Sequence, residues 1–168
     1  MKHILLVLVI AALAVASCAC SAPEDAADDA GAGTGSAPPA LTLYVNEEEP
    51  IVYLAPGTYE WIVDNGDGTM TGVNADAPHP LDVIDDLTTV DTSNCTAVEI
   101  ILEEGMEVDA VSWWDAAERD YSDPHAVSGE VVTADKTVYR LPIEAGRVYD
   151  VHVDFGEKGD AFYAFAAK

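Results

Sequence analysis

Apolar and polar residues alternate with a period of two through most of residues 41–168, the spacing that gives a strand one buried and one solvated face. Leu41, Leu43 and Val45 fall on one face of a first strand, and Tyr59, Trp61 and Val63 on one face of another. Val98, Ile100 and Leu102 share a face, with Glu99 and Ile101 opposite. In YDVHVDF, Tyr149, Val151, Val153 and Phe155 point inward, and Asp150, His152 and Asp154 point outward. AFYAFAA closes the chain as a last strand, and further strands are expected at 51–54, 108–113, 130–133 and 137–141. Turn signals separate these runs at 55–57, 64–68, 103–105, 144–146 and 156–160, each with a glycine that tolerates positive φ. Only PLDVIDDL, with Pro80 at its first position, and WDAAERDY read as short helical turns. Short strands with regular turns predict an all-β fold, a single antiparallel β-sandwich.

Upstream of residue 41 the pattern changes twice. After MKH, residues 4–15 form an unbroken apolar run of 12 residues. Spanning a bilayer takes roughly 17 to 25, so the run fits the h-region of a secretory signal better. VASC, residues 15–18, then resembles the lipobox of bacterial lipoproteins. That resemblance implies cleavage before Cys18 and acylation of its thiol and new amino group. Two or more acyl chains, at about 0.8 kcal/mol per buried CH₂, anchor stably where one does not. The alternatives are an uncleaved anchor over 4–20, or lipidation at Cys20, which would put Ser17 where the lipobox has an aliphatic residue. Residues 21–40 are small, polar, acidic, Gly or Pro, a composition that buries no core and suits a spacer. The expected organisation is a signal peptide at 1–17, a lipid-anchored flexible linker at 18–40 and a sandwich head at 41–168, held on the extracytoplasmic face of the cell membrane.

Charge narrows the partners. The chain carries 31 acidic and 7 basic residues, a net charge of −24, and cleavage would remove Lys2 as well. Such a surface repels nucleic-acid phosphates and favours solubility and contacts with cations or basic partners. With Cys18 acylated, Cys20 and Cys95 either pair or, the simpler reading, remain thiols.

LPIEAGRVYDVHVDF, residues 141–155, resembles the E–F corner of immunoglobulin-like and fibronectin-type sandwiches. There a tyrosine hydroxyl bonds back to preceding backbone; the resemblance gives that role to Tyr149, with Leu141 in the core and Gly146 at the turn. No cysteine pair brackets a central tryptophan. The head is also similar to small β-rich domains of secreted bacterial lipoproteins, a resemblance that implies no activity.

Candidate chemistry is sparse. Counted from Asp64 as an EF-hand loop, DNGDGT has glycines at positions 3 and 5, so it reads as a hairpin turn. Asp82, Asp85, Asp86 and Asp91 form an acidic stretch that would suit Ca²⁺, though a solvated turn is simpler. His79, His125 and His152, with Asp76, Asp123 or Asp150, could form a Zn²⁺ site, yet they lie in separate segments without H-x₃₋₅-H spacing. G-x-S-x-G, H-E-x-x-H and phosphate-loop signatures are missing, and no enzyme is expected. SWWD offers the best binding surface, because adjacent strand residues face opposite ways and one tryptophan need not enter the core. Trp113, Trp114, Tyr121 and His125 are its candidate residues. Finally, PHP stiffens the backbone on both sides of His79, which suits a rigid connection between strands. If it is instead the rim of a site, His79, Asp76, Asp82 and Asp86 are the candidate metal ligands, for Ca²⁺ or Zn²⁺.

The reading is an extracytoplasmic lipid-anchored protein acting in noncovalent binding of a protein or small molecule. Alternatives are a metal-binding protein and a structural or sensory accessory domain.

Overall fold

The computed structural model describes residues 35–45, 51–118, 120–134 and 137–168. The expectations for the apolar run at 4–15, for Cys18 and Cys20, and for most of the 18–40 linker lie outside them.

The strands are β1 (Leu41–Tyr44), β2 (Ile51–Leu54), β3 (Tyr59–Asp64), β4 (Met70–Ala75), β5 (Thr89–Val90), β6 (Ala97–Ile101), β7 (Glu107–Asp115), β8 (His125–Ala126), β9 (Glu130–Val131), β10 (Val138–Pro142), β11 (Arg147–Asp154) and β12 (Gly159–Ala167). They form a five-stranded sheet ordered β2-β1-β6-β10-β9 and a seven-stranded sheet ordered β4-β3-β12-β11-β7-β8, with β5 parallel to the end of β12. Packed face to face, the two sheets make the expected all-β sandwich. The order β1-β6-β10-β9 opposite β12-β11-β7-β8 is the A-B-E-D and G-F-C-C′ order of immunoglobulin-type sandwiches. To that frame this chain adds β2 outside β1 and the β3–β4 hairpin outside β12.

Alternation places the core as expected. Leu43, Val98, Ile100 and Leu141 of the smaller sheet meet Tyr149, Val151, Val153, Tyr163 and Phe165 of the larger, all fully buried. Tyr149 and Phe165 stack at 5.1 Å, and Trp61 meets Phe155 edge-on at 5.2 Å. The start of β12 depends on glycine: at Gly159 φ is +117°, and a Cβ there would sit 2.0 Å from the Glu60 carbonyl.

Several local expectations change. Residues 80–87 form no helix but two successive reverse turns, Asp82 N–H to His79 O and Asp86 N–H to Val83 O, each 2.8 Å. β-branched Val83 and Ile84, with aspartates nearby, disfavour a helix there, and the flatter path lays Leu81 onto a sheet. The second expected helical turn is absorbed by β7, whose last residue, Asp115, accepts the Ala117 and Glu118 N–H groups through Oδ1. Gly57 is the one expected turn glycine without positive φ; its N–H bonds the Phe162 carbonyl at 2.8 Å instead. The packed body also begins upstream of Leu41. Trp61 Nε1 donates to Gly35 O at 3.0 Å and the Tyr163 hydroxyl to Pro39 O at 2.8 Å, so residues 35–40 close one end of the sandwich.

Tyr149 holds the corner between β10 and β11. Its ring is fully buried, and its hydroxyl oxygen accepts the Glu144 N–H at 2.8 Å. Burial pushes the phenol pKa up, so the hydroxyl keeps its proton. Tyr149→Phe orphans that part-buried N–H and is expected to destabilise the head by about 1–2 kcal/mol, measured by urea denaturation with the slope unchanged.

Candidate functional site

The inner faces account for one hydrophobic cluster; a second lies on the outer face of the larger sheet. There Val148 of β11, Ala166 of β12 and Trp114 of β7 are buried beneath Leu81, with Ile84, Leu87 and Ala116 packed against them. The cover is the segment at residues 76–88, so the PHP stretch is part of a cap laid over a sheet face. His79 fixes the cap's start. Its Nδ1 accepts the Leu81 N–H at 3.2 Å, and its ring meets Trp114 edge-on at 4.8 Å and Tyr121 at 4.9 Å. Tyr121 in turn donates to Asp82 Oδ1 at 2.7 Å.

These contacts redistribute the sequence candidates. His79, Asp82, Trp114 and Tyr121 come together, although they belonged to two separate expectations. Trp114 is only 7 % exposed, so it serves the cap rather than an open binding surface, and its buried Nε1 has no hydrogen-bond partner among the described residues. Trp113 faces the other way, half-buried between the Arg147 guanidinium, 3.7 Å over its ring, and His125, stacked at 4.3 Å. Asp76 and Asp86 are exposed. Among the described residues no three His, Cys, Asp or Glu side chains form a group able to hold a metal. The acidic hairpin tip is likewise occupied by its own turns: Asp64 accepts the Gly66 N–H and Asp67 the Thr69 N–H and hydroxyl.

Beside the sealed part of the cap lies a cavity of about 210 Å³. It opens where the edge of β12 is left by one strand and not yet joined by the next. β3 pairs with β12 as far as Ala161, and β5 joins at Ala166. Phe162 and Ala164 of β12 and Asp150 of β11 line it, with Ala55, Gly57 and Thr58 on one side and Ala77, Pro78, Pro80, Val83 and Leu87 of the cap on another. Thr58 fastens the rim, its Oγ1 accepting the Ala77 N–H at 3.1 Å.

Asp150 is the one ionisable group lining this cavity. Among the described residues its carboxyl makes no hydrogen bond, and burial raises its pKa from the ordinary 3.8 to about 6 against the opposing pull of His152. His152, expected as an exposed strand residue, is half-buried and engaged elsewhere. Its Nδ1 lies 3.0 Å from Asp109, its Nε2 3.5 Å from Asp160, and its ring stacks on Phe162 at 4.3 Å. The second distance allows Coulombic attraction but not a hydrogen bond. Asp109 reaches it because the β11–β7 register shifts between His152 and Val153, leaving Asp109 as an extra residue in β7.

A strongly perturbed carboxyl in a cleft marks a candidate site; the sequence offers Asp150 only as an outward strand aspartate and as a possible partner of the histidines around Zn²⁺, not as a lone carboxyl in a hollow. The cavity holds no nucleophile beside a base; its other polar side chain, Thr58, is used in the rim. What its lining offers is one carboxyl beside an apolar wall. Compared with protein-family models, with curated proteins and with solved structures, the chain matches none.

Burying ionised Asp150 opposes folding. Because its folded pKa lies above the unfolded value, the penalty is full above about pH 6 and disappears as pH falls toward 3.8. It amounts to at most on the order of 3 kcal/mol, since water reaches the cavity. Exposed Asp67, Asp91 and Asp120, held low by bonds from Thr69, Ser93 and Ser122, act in the opposite direction. The informative readout is therefore a difference between proteins: Asp150→Asn should be more stable than wild type at pH 8 and lose that advantage by pH 4, followed by denaturant unfolding.

Proposed function

We propose that this chain is a lipid-anchored extracytoplasmic binding protein of a bacterial envelope, whose head takes a ligand in the Asp150 cavity. The observation that supports the reading most is the cavity itself, a preformed hollow with a single carboxyl among apolar walls. Ligand sites combine apolar enclosure with a few placed polar groups in this way. In this reading residues 1–17 are removed, Cys18 carries the lipid, the spacer holds the head off the membrane, and the acidic surface keeps it soluble and away from nucleic acid. No chemical step is assigned to the cavity, and its ligand is held noncovalently.

Two measurements test the halves separately. Cells fed an alkyne-tagged fatty acid should label the wild-type chain and not Cys18→Ala, which should also leave the membrane fraction; equal labelling of both would refute the anchor. Amide chemical-shift mapping with a set of small amines, alcohols and acids should move Ala77, Ala164 and Phe162 first. Shifts confined to other faces would move the binding site away from the cavity.

A further inference from the structure

The walls of this cavity restrict what can occupy it. Resting on the reading of the cavity as the binding site, we propose that its ligand presents a primary ammonium on a short aliphatic body, the ammonium on Asp150 and the body between Phe162 and the cap. Pro78 and Pro80 form part of the cap wall, and proline has no N–H to donate. The cap therefore supplies apolar surface at these positions without a donor that would satisfy the carboxyl. The neighbouring imidazole of His152 is directed toward Asp109 and Asp160. A half-buried carboxylate without a protein donor among the described residues leaves strong acceptor capacity unused, and a charge-assisted N⁺–H···O⁻ bond answers it best.

Other ligand classes fit less well. An anion would be repelled by Asp150 and by the net charge of −24, which also concentrates cations near the head. A bare metal ion needs several oxygen ligands, whereas Asp150 and Thr58 are the polar side chains lining the cavity. A neutral alcohol fills the space but leaves the carboxylate charge unpaired. The volume of about 210 Å³ is well above the roughly 10–15 Å³ that one water needs and leaves room for an ammonium on a short aliphatic chain.

Protons should compete with the ligand. From β11 the neighbouring ionisable group is His152, with Asp109 of β7 and Asp160 of β12 held around it. Phe162 and Ala164 of β12, Thr58 of the rim and the lining residues of the cap carry no charge. Protonation of Asp150 near pH 6 removes the anion, so affinity should fall about tenfold from pH 7 to pH 5.

The test titrates the full chain in detergent with n-pentylammonium and, separately, with 1-pentanol, following the amides of Ala77 and Ala164. Pentylammonium should bind at least tenfold tighter than pentanol at pH 7.5. Asp150→Asn, expected to be folded and more stable, should remove that preference while keeping pentanol binding. If both compounds bind equally and Asp150→Asn changes neither, the ammonium assignment fails and the cavity reading stands. If neither shifts those amides, both fail.

Discussion

Strands β11 and β12 are buried along their inner faces and, at Val148 and Ala166, on their outer faces as well, and the rest of the structure follows from that constraint. Their inner side chains, Tyr149, Val151, Val153, Tyr163 and Phe165, fill the sandwich, while Val148 and Ala166 on the outer side join Trp114 in a patch that must also be kept from water. Fully burying a residue such as Leu81 contributes about 1.5–3 kcal/mol, so the chain between β4 and β5 is drawn across the sheet. Its two tight turns and the prolines around His79 give that cover a fixed path. Where it lies flat it seals the patch. Beside the open edge of β12 it leaves a hollow, with Asp150 exposed to it.

Asp150 and His152 show how differently two neighbours on one strand face can be treated. An irregularity in β7 brings Asp109 to His152, and the end of β12 brings Asp160, so the imidazole sits between two carboxylates on an aromatic ring. Asp150 instead has Ser112 and Ala164 as its strand-pair neighbours. Neither provides a counter-charge, and Ala164 leaves room above it. The same cover that stabilises the hydrophobic patch thus leaves a carboxyl short of solvation. The proposed ligand recognition draws on that unused acceptor capacity.

Much of this fold could be read directly from residue spacing. Alternation in β1, β3, β6 and β11 gave the right faces, AFYAFAA is the expected last strand, and the L…AG..Y pattern located the Tyr149 hydroxyl bond. β4, β5 and β8 escaped notice because β4 is an exposed edge strand of mixed composition and the other two are two residues long. Helical turns expected at residues 80–87 and 114–121 failed because both segments are shaped by the sheet beneath or before them. The site was less legible. Asp150 alternates as an ordinary outward residue, and its burial comes from a segment some seventy residues away. A signal was nevertheless present: Trp114, Val148, Phe162, Ala164 and Ala166 make the outer face of the larger sheet unusually apolar, which demands a cover. The stiffness of PHP is legible in the sequence; the sheet face over which it fixes the cap is not.

The central claim is that a carboxyl on β11 is held beneath this cap, short of water and donors. Carbon-detected NMR titration of the Asp150 side chain in the folded protein tests it most directly. The account predicts a midpoint near pH 6, about two pH units above an ordinary aspartate. A midpoint near 3.8 would mean that the carboxyl is fully solvated, and the capped cavity as described here would be wrong.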